Sequence, residues 1–388
     1  MPSSVYSLCA PGELGLDPER IGDLRGRIAH AVGKGPLPAV QVALAREGRL
    51  ALFETFGEAD NSSRFNIYSC TKPLVASALW KLMGEGKLDV LRPVCDYFPE
   101  FSGSGKEQVT VEQVLCHTAG FPQAPMGPPD WWLRPARIAK MREWYLDWEP
   151  CTQYCYHPTS AHWVLAELID RISGCDYRDY VNGNIIVPLG LEALRLGVPE
   201  SEQDNIATLA HVGGPPTADE IEKALGSSVE WPDMVDDSLL AFNEPRVRAL
   251  GVPGGGAVSS AADMALFYQA LMHNTGGLWR DEVLADATGR VRVDYADPMT
   301  GVPANRGLGV VIAGSGPQAA YRGMGRTVSP CAFGHQGVGG QIAWGDPETG
   351  ISFCLLTNGL DVNPIRSARF CAGVNNRAGA CATPAAKE

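Results

Sequence analysis

Residues 68–73 read Tyr-Ser-Cys-Thr-Lys-Pro, and the reading of these six decides the rest. Two candidate nucleophiles stand side by side, the Ser69 hydroxyl and the Cys70 thiol, and Lys72 follows the serine by three positions. A serine hydroxyl is a poor nucleophile at neutral pH and needs a base. If Ser69 opens a helix, Lys72 comes round onto the same face one turn later, beside the hydroxyl. Neighbouring hydrogen-bonding groups or cations then lower the amine's pKa, so that it accepts the serine proton. A helix start also turns the Ser69 N–H toward a developing oxyanion. By itself Ser-x-x-Lys is a frequent chance match, and the plain alternative is an N-cap serine with a surface lysine. The flanks argue against that alternative. FNI precedes the motif and LVASALWKLM follows it, so the pair lies in apolar surroundings. Cys70 points off the Ser69–Lys72 face and reads as a packing thiol.

Outward from this stretch, residues 17–32 place Ile21, Leu24, Ile28 and Val32 at helical spacing. Residues 39–57 hold two β-rich runs around Arg46-Glu47-Gly48, a hairpin signal. The helix after Pro73 ends at Gly84 and Gly86. Residues 121–150 are rich in Pro and Trp, and Trp131 and Trp132 are candidates to line a substrate mouth. A second helical pattern runs over 159–173 through Trp163, Leu165, Leu168 and Ile172. Residues 213–245 are acidic and turn-rich, as in an insertion. GVPGGGAVSS (251–260) reads as a tight strand-to-helix connection, since the GxxxxGK[ST] phosphate loop is absent. Ser260 with Asp263 reads as a capping box. The end is β-rich again over 307–314 and 331–359, with a hairpin turn at Gly345–Gly350, and the tail beyond Gly379 reads as frayed. The expected fold is α/β of the α+β kind. Residues 1–70 and 290–388 form an antiparallel sheet flanked by helices. A mostly helical region, 71–289, is inserted, with loop insertions near 121–150 and 213–245.

Composition narrows the function. The 388 residues are 45% hydrophobic and 20% charged, the balance of a globular chain with a large core. A net charge of −12 argues against a nucleic-acid surface and a polybasic membrane contact. The N-terminus has neither a basic n-region nor an apolar h-region, and no stretch approaches about eighteen apolar residues. The eleven cysteines read as reduced thiols of a cytoplasmic protein. Seven scattered histidines without HExxH, and a Cys151–Cys155 pair without a second, argue against zinc.

YSCTKP, LMGEGKLDV (82–90) and VTVEQVLCHTAGFP (109–122) together resemble the serine β-lactamase superfamily. The branch is that of class C β-lactamases, D-Ala-D-Ala peptidases and family VIII carboxylesterases. The resemblance runs roughly from Leu16 to Leu360 and implies a β-lactamase/DD-peptidase-like fold. It makes Ser69 the nucleophile and Lys72 its partner. The branch's second element, a tyrosine ahead of a helix, is matched by YHPTSAHWVLAELIDRISG (156–174). Tyr156 then shares proton transfer and protonates the leaving group, with Tyr154 as its rival. The third element is matched by His335-Gln336-Gly337 on an edge strand. His335 and Gly337 would line the substrate site, and the N–H of Val338 would join that of Ser69 as the oxyanion hole.

Two departures matter. Pro158 stands where the branch usually has an asparagine that donates to a substrate amide, and His335 where it often has a lysine. Both weaken a β-lactam or peptide reading, and both are tolerated in family VIII esterases. No G-x-S-x-G elbow is present. The expectation is a cytoplasmic serine hydrolase that cleaves small-molecule esters through an acyl-enzyme on Ser69. It needs no cofactor or metal and no nucleic-acid or membrane partner, and its oligomeric state is open. Acyl transfer or amide hydrolysis at the same site is the first alternative, and a non-catalytic binding protein of the same fold the second.

Overall fold

Glu47 (φ 53°) and Gly48 (φ 72°) both lie in the left-handed region and close a two-residue hairpin loop. Such a loop carries the twist that the flanking strands require. It joins β1 (Ala39–Arg46) to β2 (Arg49–Gly57). Far along the chain come β3 (Val311–Ile312), β4 (Phe333–Gln336), β5 (Ile342–Asp346) and β6 (Ile351–Thr357). The six make one antiparallel sheet in the order β2-β1-β6-β5-β4-β3. β1 pairs with β6, Val42 opposite Leu355, so both ends of the chain share the sheet. These elements come from a computed structural model that describes residues 6–226 and 235–382. Part of the expected acidic insertion, 227–234, and the last six residues lie outside the described residues.

Five helices bear on the site: α1 (Pro18–Lys34), α2 (Thr71–Gly84), α3 (Ser160–Ser173), α4 (Ala261–His273) and α5 (Pro364–Gly379). Side chains alternate across β1 with period two. Val40, Val42 and Leu44 face α1 and α5 and pack with Leu24, Ile28, Phe370 and Val374. Ala39, Ala43 and Ala45 face the other way, toward α4. Small side chains there let α4 lie close to the sheet. A sheet covered on both faces reads as an unbroken apolar run, which is why AVQVALA lacks polar alternation. The one polar side chain in that run, Gln41, caps α4: its Oε1 accepts the Ala261 N–H at 2.7 Å.

Three local features differ from expectation. α5 was not anticipated, because Gly373, Asn375 and Asn376 dilute its helical signal. It is nonetheless started by Asn363, whose side chain accepts the Arg366 N–H, with Pro364 in the first turn. The residues just past Gly379 are not frayed: Cys381 is buried and Ala382 bridges to Leu16. The capping box at α4 is half formed. Ser260 accepts the Asp263 N–H, but the Asp263 carboxylate turns away to the Tyr6 hydroxyl and the N–H groups of Ala193 and Leu194.

α2 carries the motif and is buried on every side, from Thr71 through Trp80 to Leu82. Such a helix is a core element rather than a surface one. It is anchored by Trp80, whose Nε1 donates to the Leu308 carbonyl at 3.1 Å. Next to that carbonyl, Gly309 (φ 82°) presses on the helix: a Cβ there would stand 2.4 Å from the Ala76 Cβ. Gly309→Ala combines a left-handed backbone with overpacking and should cost about 2 kcal/mol or more. A urea midpoint equal to that of wild type would contradict this packing of α2.

Candidate active site

Ser69 sits in a single 3-10 turn, Tyr68–Cys70, that leads into α2. The turn depends on Tyr68, a non-glycine residue at φ 43°. Such a conformation is strained and persists only where its surroundings hold it. Here Asn66 Oδ1 accepts the Tyr68 N–H at 3.0 Å, and the phenol donates to the Leu239 carbonyl at 3.1 Å. Ser69 is half-buried and reachable, while Cys70 and Lys72 are buried on either side of it.

The Lys72 amine lies 3.0 Å from Ser69 Oγ, and it donates to the carbonyls of Pro158 (2.8 Å) and Gly254 (2.7 Å). In its neutral form the amine has two N–H bonds and one lone pair. Two carbonyls use the two N–H bonds, which leaves the lone pair for the Ser69 hydroxyl. Burial pushes the Lys72 pKa well below its ordinary value, and Arg306 pushes in the same direction. The Tyr156 hydroxyl lies 2.9 Å from Ser69 Oγ and donates to it. Burial raises that phenol to about 12, so it stays protonated. The resulting chain is Tyr156 O–H to Ser69 Oγ, and Ser69 O–H to Lys72 Nζ.

Tyr154, the rival, points elsewhere: its hydroxyl accepts from Arg306 Nε at 3.0 Å and Nη2 at 2.6 Å. His335 is buried on β4, with its ring 5.9 Å from that of Tyr156. Its Nδ1 lies 2.7 Å from the Gln336 carbonyl and its Nε2 3.3 Å from Arg306 Nη1. Those partners fix the Nδ1–H tautomer and use both nitrogens. Burial, then Arg306 and Lys72, hold the ring's pKa well below its ordinary value, so it is neutral. Gly337 packs on the Ser69 turn: a Cβ there would lie 2.7 Å from the Ile67 carbonyl oxygen. The N–H groups of Ser69 and Val338 donate to no acceptor among the described residues, as free oxyanion donors would. Trp131 and Trp132 stack edge to face at 5.4 Å, and Arg246 lies 3.9 Å over Trp132. Among the described residues, neither tryptophan makes a hydrogen bond or ring contact with Ser69, Lys72 or Tyr156.

Cys70 packs under the site. Its thiol donates to the His335 carbonyl, and burial raises its pKa to about 12. A thiolate there is disfavoured. Two participants were missed in the sequence. Gly254 was read only as part of a connection, yet its carbonyl holds Lys72, and a Cβ at that position would lie 3.3 Å from the amine. Arg306 immediately precedes the run read as a strand at 307–314. An arginine at the head of an apolar run is the one signal that could have found it.

Among the described residues no helix is long and apolar enough to cross a membrane, and no group of His, Cys, Asp and Glu could hold a metal ion.

The family model described as Beta-lactamase matches residues 24–371. A curated relative, "Esterase/beta-lactamase LipL" of Mycobacterium tuberculosis, is 25% identical over 308 residues, covering 76% of this chain and 69% of its own. A penicillin-binding protein homolog from Caulobacter crescentus is 26% identical with a TM-score of 0.74, covering 92% of this chain and 98% of that one. A family VIII carboxylesterase structure shares the fold at a TM-score of 0.74 and 24% identity, covering 94% of this chain and 98% of that one.

The Cys70 environment gives a direct check. With iodoacetamide at pH 8, exposed Cys151 and Cys175 should be alkylated in the folded protein and Cys70 should not. Peptide mapping that finds Cys70 modified first would reopen the thiol as nucleophile.

Proposed function

The chain belongs to the beta-lactamase family, and we propose that within it the protein works as a serine carboxylesterase on small-molecule esters. The observation that carries this reading is Ser69 Oγ held between the Lys72 amine at 3.0 Å and the Tyr156 phenol at 2.9 Å. In this reading Ser69 attacks the ester carbonyl and passes its proton to Lys72. The N–H groups of Ser69 and Val338 receive the oxyanion. As the tetrahedral intermediate collapses, Tyr156 gives its proton to the departing alcohol, and Lys72 restores it. Water then attacks the acyl-enzyme and loses a proton to the same pair, which returns it to Ser69 Oγ as the acid leaves. Gly337 lets the strand backbone come close to the substrate, and Trp131 and Trp132 are assigned to the outer acyl pocket.

Esters are preferred to amides for a structural reason. Pro158 has no side-chain donor for a substrate amide, and its carbonyl is already used by Lys72. His335 is neutral and both its nitrogens are engaged, so it offers no cation to a β-lactam or peptide carboxylate. An ester needs neither group. LipL is described as an esterase/beta-lactamase, which supports keeping both substrates in the test. The eleven cysteines, none of them paired, suit a reducing cytoplasm, which is part of the proposal.

Hydrolysis of a short-chain p-nitrophenyl ester and of a chromogenic cephalosporin should be measured side by side. Wild type is expected to turn over the ester and to leave the cephalosporin almost untouched, and Ser69→Ala should lower ester turnover at least about a thousandfold. Rapid cephalosporin turnover would replace the esterase reading with a β-lactamase one. Ester turnover that survives in Ser69→Ala would remove Ser69 from the mechanism.

A further inference from the structure

Arg306 is buried, yet no carboxylate pairs with it among the described residues. A buried charge without a counter-charge is expensive, and natural chains rarely carry one without a use. Its hydrogen-bond partners are neutral: the Tyr154 hydroxyl, twice, and His335 Nε2. Its guanidinium carbon lies 5.4 Å from the Tyr154 ring centre and 5.3 Å from that of Tyr156. The Lys72 amine lies 5.0 Å from the same Tyr156 ring centre, so the two groups are at most about 10 Å apart.

We propose that Arg306 is a positioning residue whose fixed charge, held beside the Tyr156 ring, adds to burial in favouring the neutral Lys72 amine that acts as base at Ser69.

Among the groups around Lys72, Arg306 is the one whose charge adds to the effect of burial. On its own turn Cys70 is a thiol pushed up to about 12, and Tyr156 is a phenol pushed up to about 12. His162 on α3, His335 on β4 and His117 beyond Tyr156 are buried imidazoles held well below their ordinary pKa, first by burial. The half-buried Asp297 lines the same cleft as Arg306, but no ion pair joins the two. Arg306 is therefore the permanent charge that acts on Lys72 among the described residues. The sign follows directly. A positive charge disfavours a second one nearby, so removing it favours the ammonium, and the base is lost at a higher pH. At about 10 Å and an effective dielectric constant of about 20, a unit charge changes the amine's protonation ratio roughly tenfold.

The consequence for turnover rests on the hydrolase reading, so the test uses a readout that needs no substrate. The rate at which a fluorophosphonate labels Ser69 is followed against pH in the full chain, for wild type, Arg306→Gln, Arg306→Met, Arg306→Lys and Tyr154→Phe. Arg306→Gln and Arg306→Met should move the acid limb to higher pH, with labelling roughly tenfold slower on the limb. Their alkaline plateau should stay near that of wild type. Arg306→Lys should keep the wild-type limb, and Tyr154→Phe should leave the limb in place. A lower plateau with an unmoved limb in both neutral variants would show a merely structural role and overturn the proposal. Should both neutral variants fail to fold, or wild type fail to label, NMR of 13C-lysine-labelled protein decides. A Lys72 midpoint near the ordinary lysine value of about 10.4 in wild type, or one that is the same in Arg306→Ala as in wild type, overturns the proposal, and one raised by about a unit in Arg306→Ala upholds it. Absence of wild-type labelling would count against the hydrolase reading alone.

Discussion

A lysine amine buried in the core is the constraint on which the rest of this structure depends. An ammonium in that position would lose its hydration, at an effective cost of several kcal/mol. The amine escapes most of that cost by being neutral and by finding acceptors within the fold. Its partners come from three distant parts of the chain: the Ser69 hydroxyl on the turn before α2, and the carbonyls of Pro158 ahead of α3 and Gly254 ahead of α4. Placing Lys72 therefore requires three helix starts to converge. The substitution that looks damaging in the sequence, a proline at 158, is neutral for this purpose because only its carbonyl is used.

The sheet supplies the opposite wall. β4 ends beside the Ser69 turn, where the His335 carbonyl accepts the Cys70 thiol and Gly337 rests on Ile67. That strand is fixed by pairing that runs from β4 through β5 and β6 to β1, so a hairpin near the N-terminus sets the position of a loop near residue 338. The strain at Tyr68 belongs to the same arrangement. A left-handed residue just ahead of Ser69 turns it toward the Tyr156 phenol, and two hydrogen bonds from Tyr68 hold the conformation.

Features with a local signature were legible in the sequence. The Glu47-Gly48 loop, the spacing of Ser69 and Lys72 and the glycines after α2 all express themselves within a few residues. What remained hidden depends on partners far along the chain. Asp263 has the spacing of a capping box, but Ala193 and Leu194, about seventy residues away, offer its carboxylate N–H donors. Gly254 contributes a carbonyl, a group that every residue carries, so its identity announces nothing. α5 is helical because Phe370 and Val374 find the sheet, not because its composition favours a helix. Arg306 at the head of an apolar run looks like a surface residue until Tyr154 and His335 are seen around it.

The direction in which the site faces its positive charge bears on the substrate. A cation on the strand beside the nucleophile would face the substrate and reward an anionic group there. In this protein the strand offers a neutral histidine, and the charge sits behind it on Arg306, satisfied by a protein phenol. In the proposed mechanism a charge turned inward acts on the protein's own base. It still counters the burden of a buried amine by favouring the neutral form, but it offers little to a carboxylate on the ligand. The two departures at 158 and 335 thus have one physical meaning. In the proposed esterase reading, both positions lack a group to recognise a peptide-like amide or an anion, while Ser69, Lys72 and Tyr156 stay within hydrogen-bond distance. A neutral ester is the acyl donor that this proposal expects to need the second without the first.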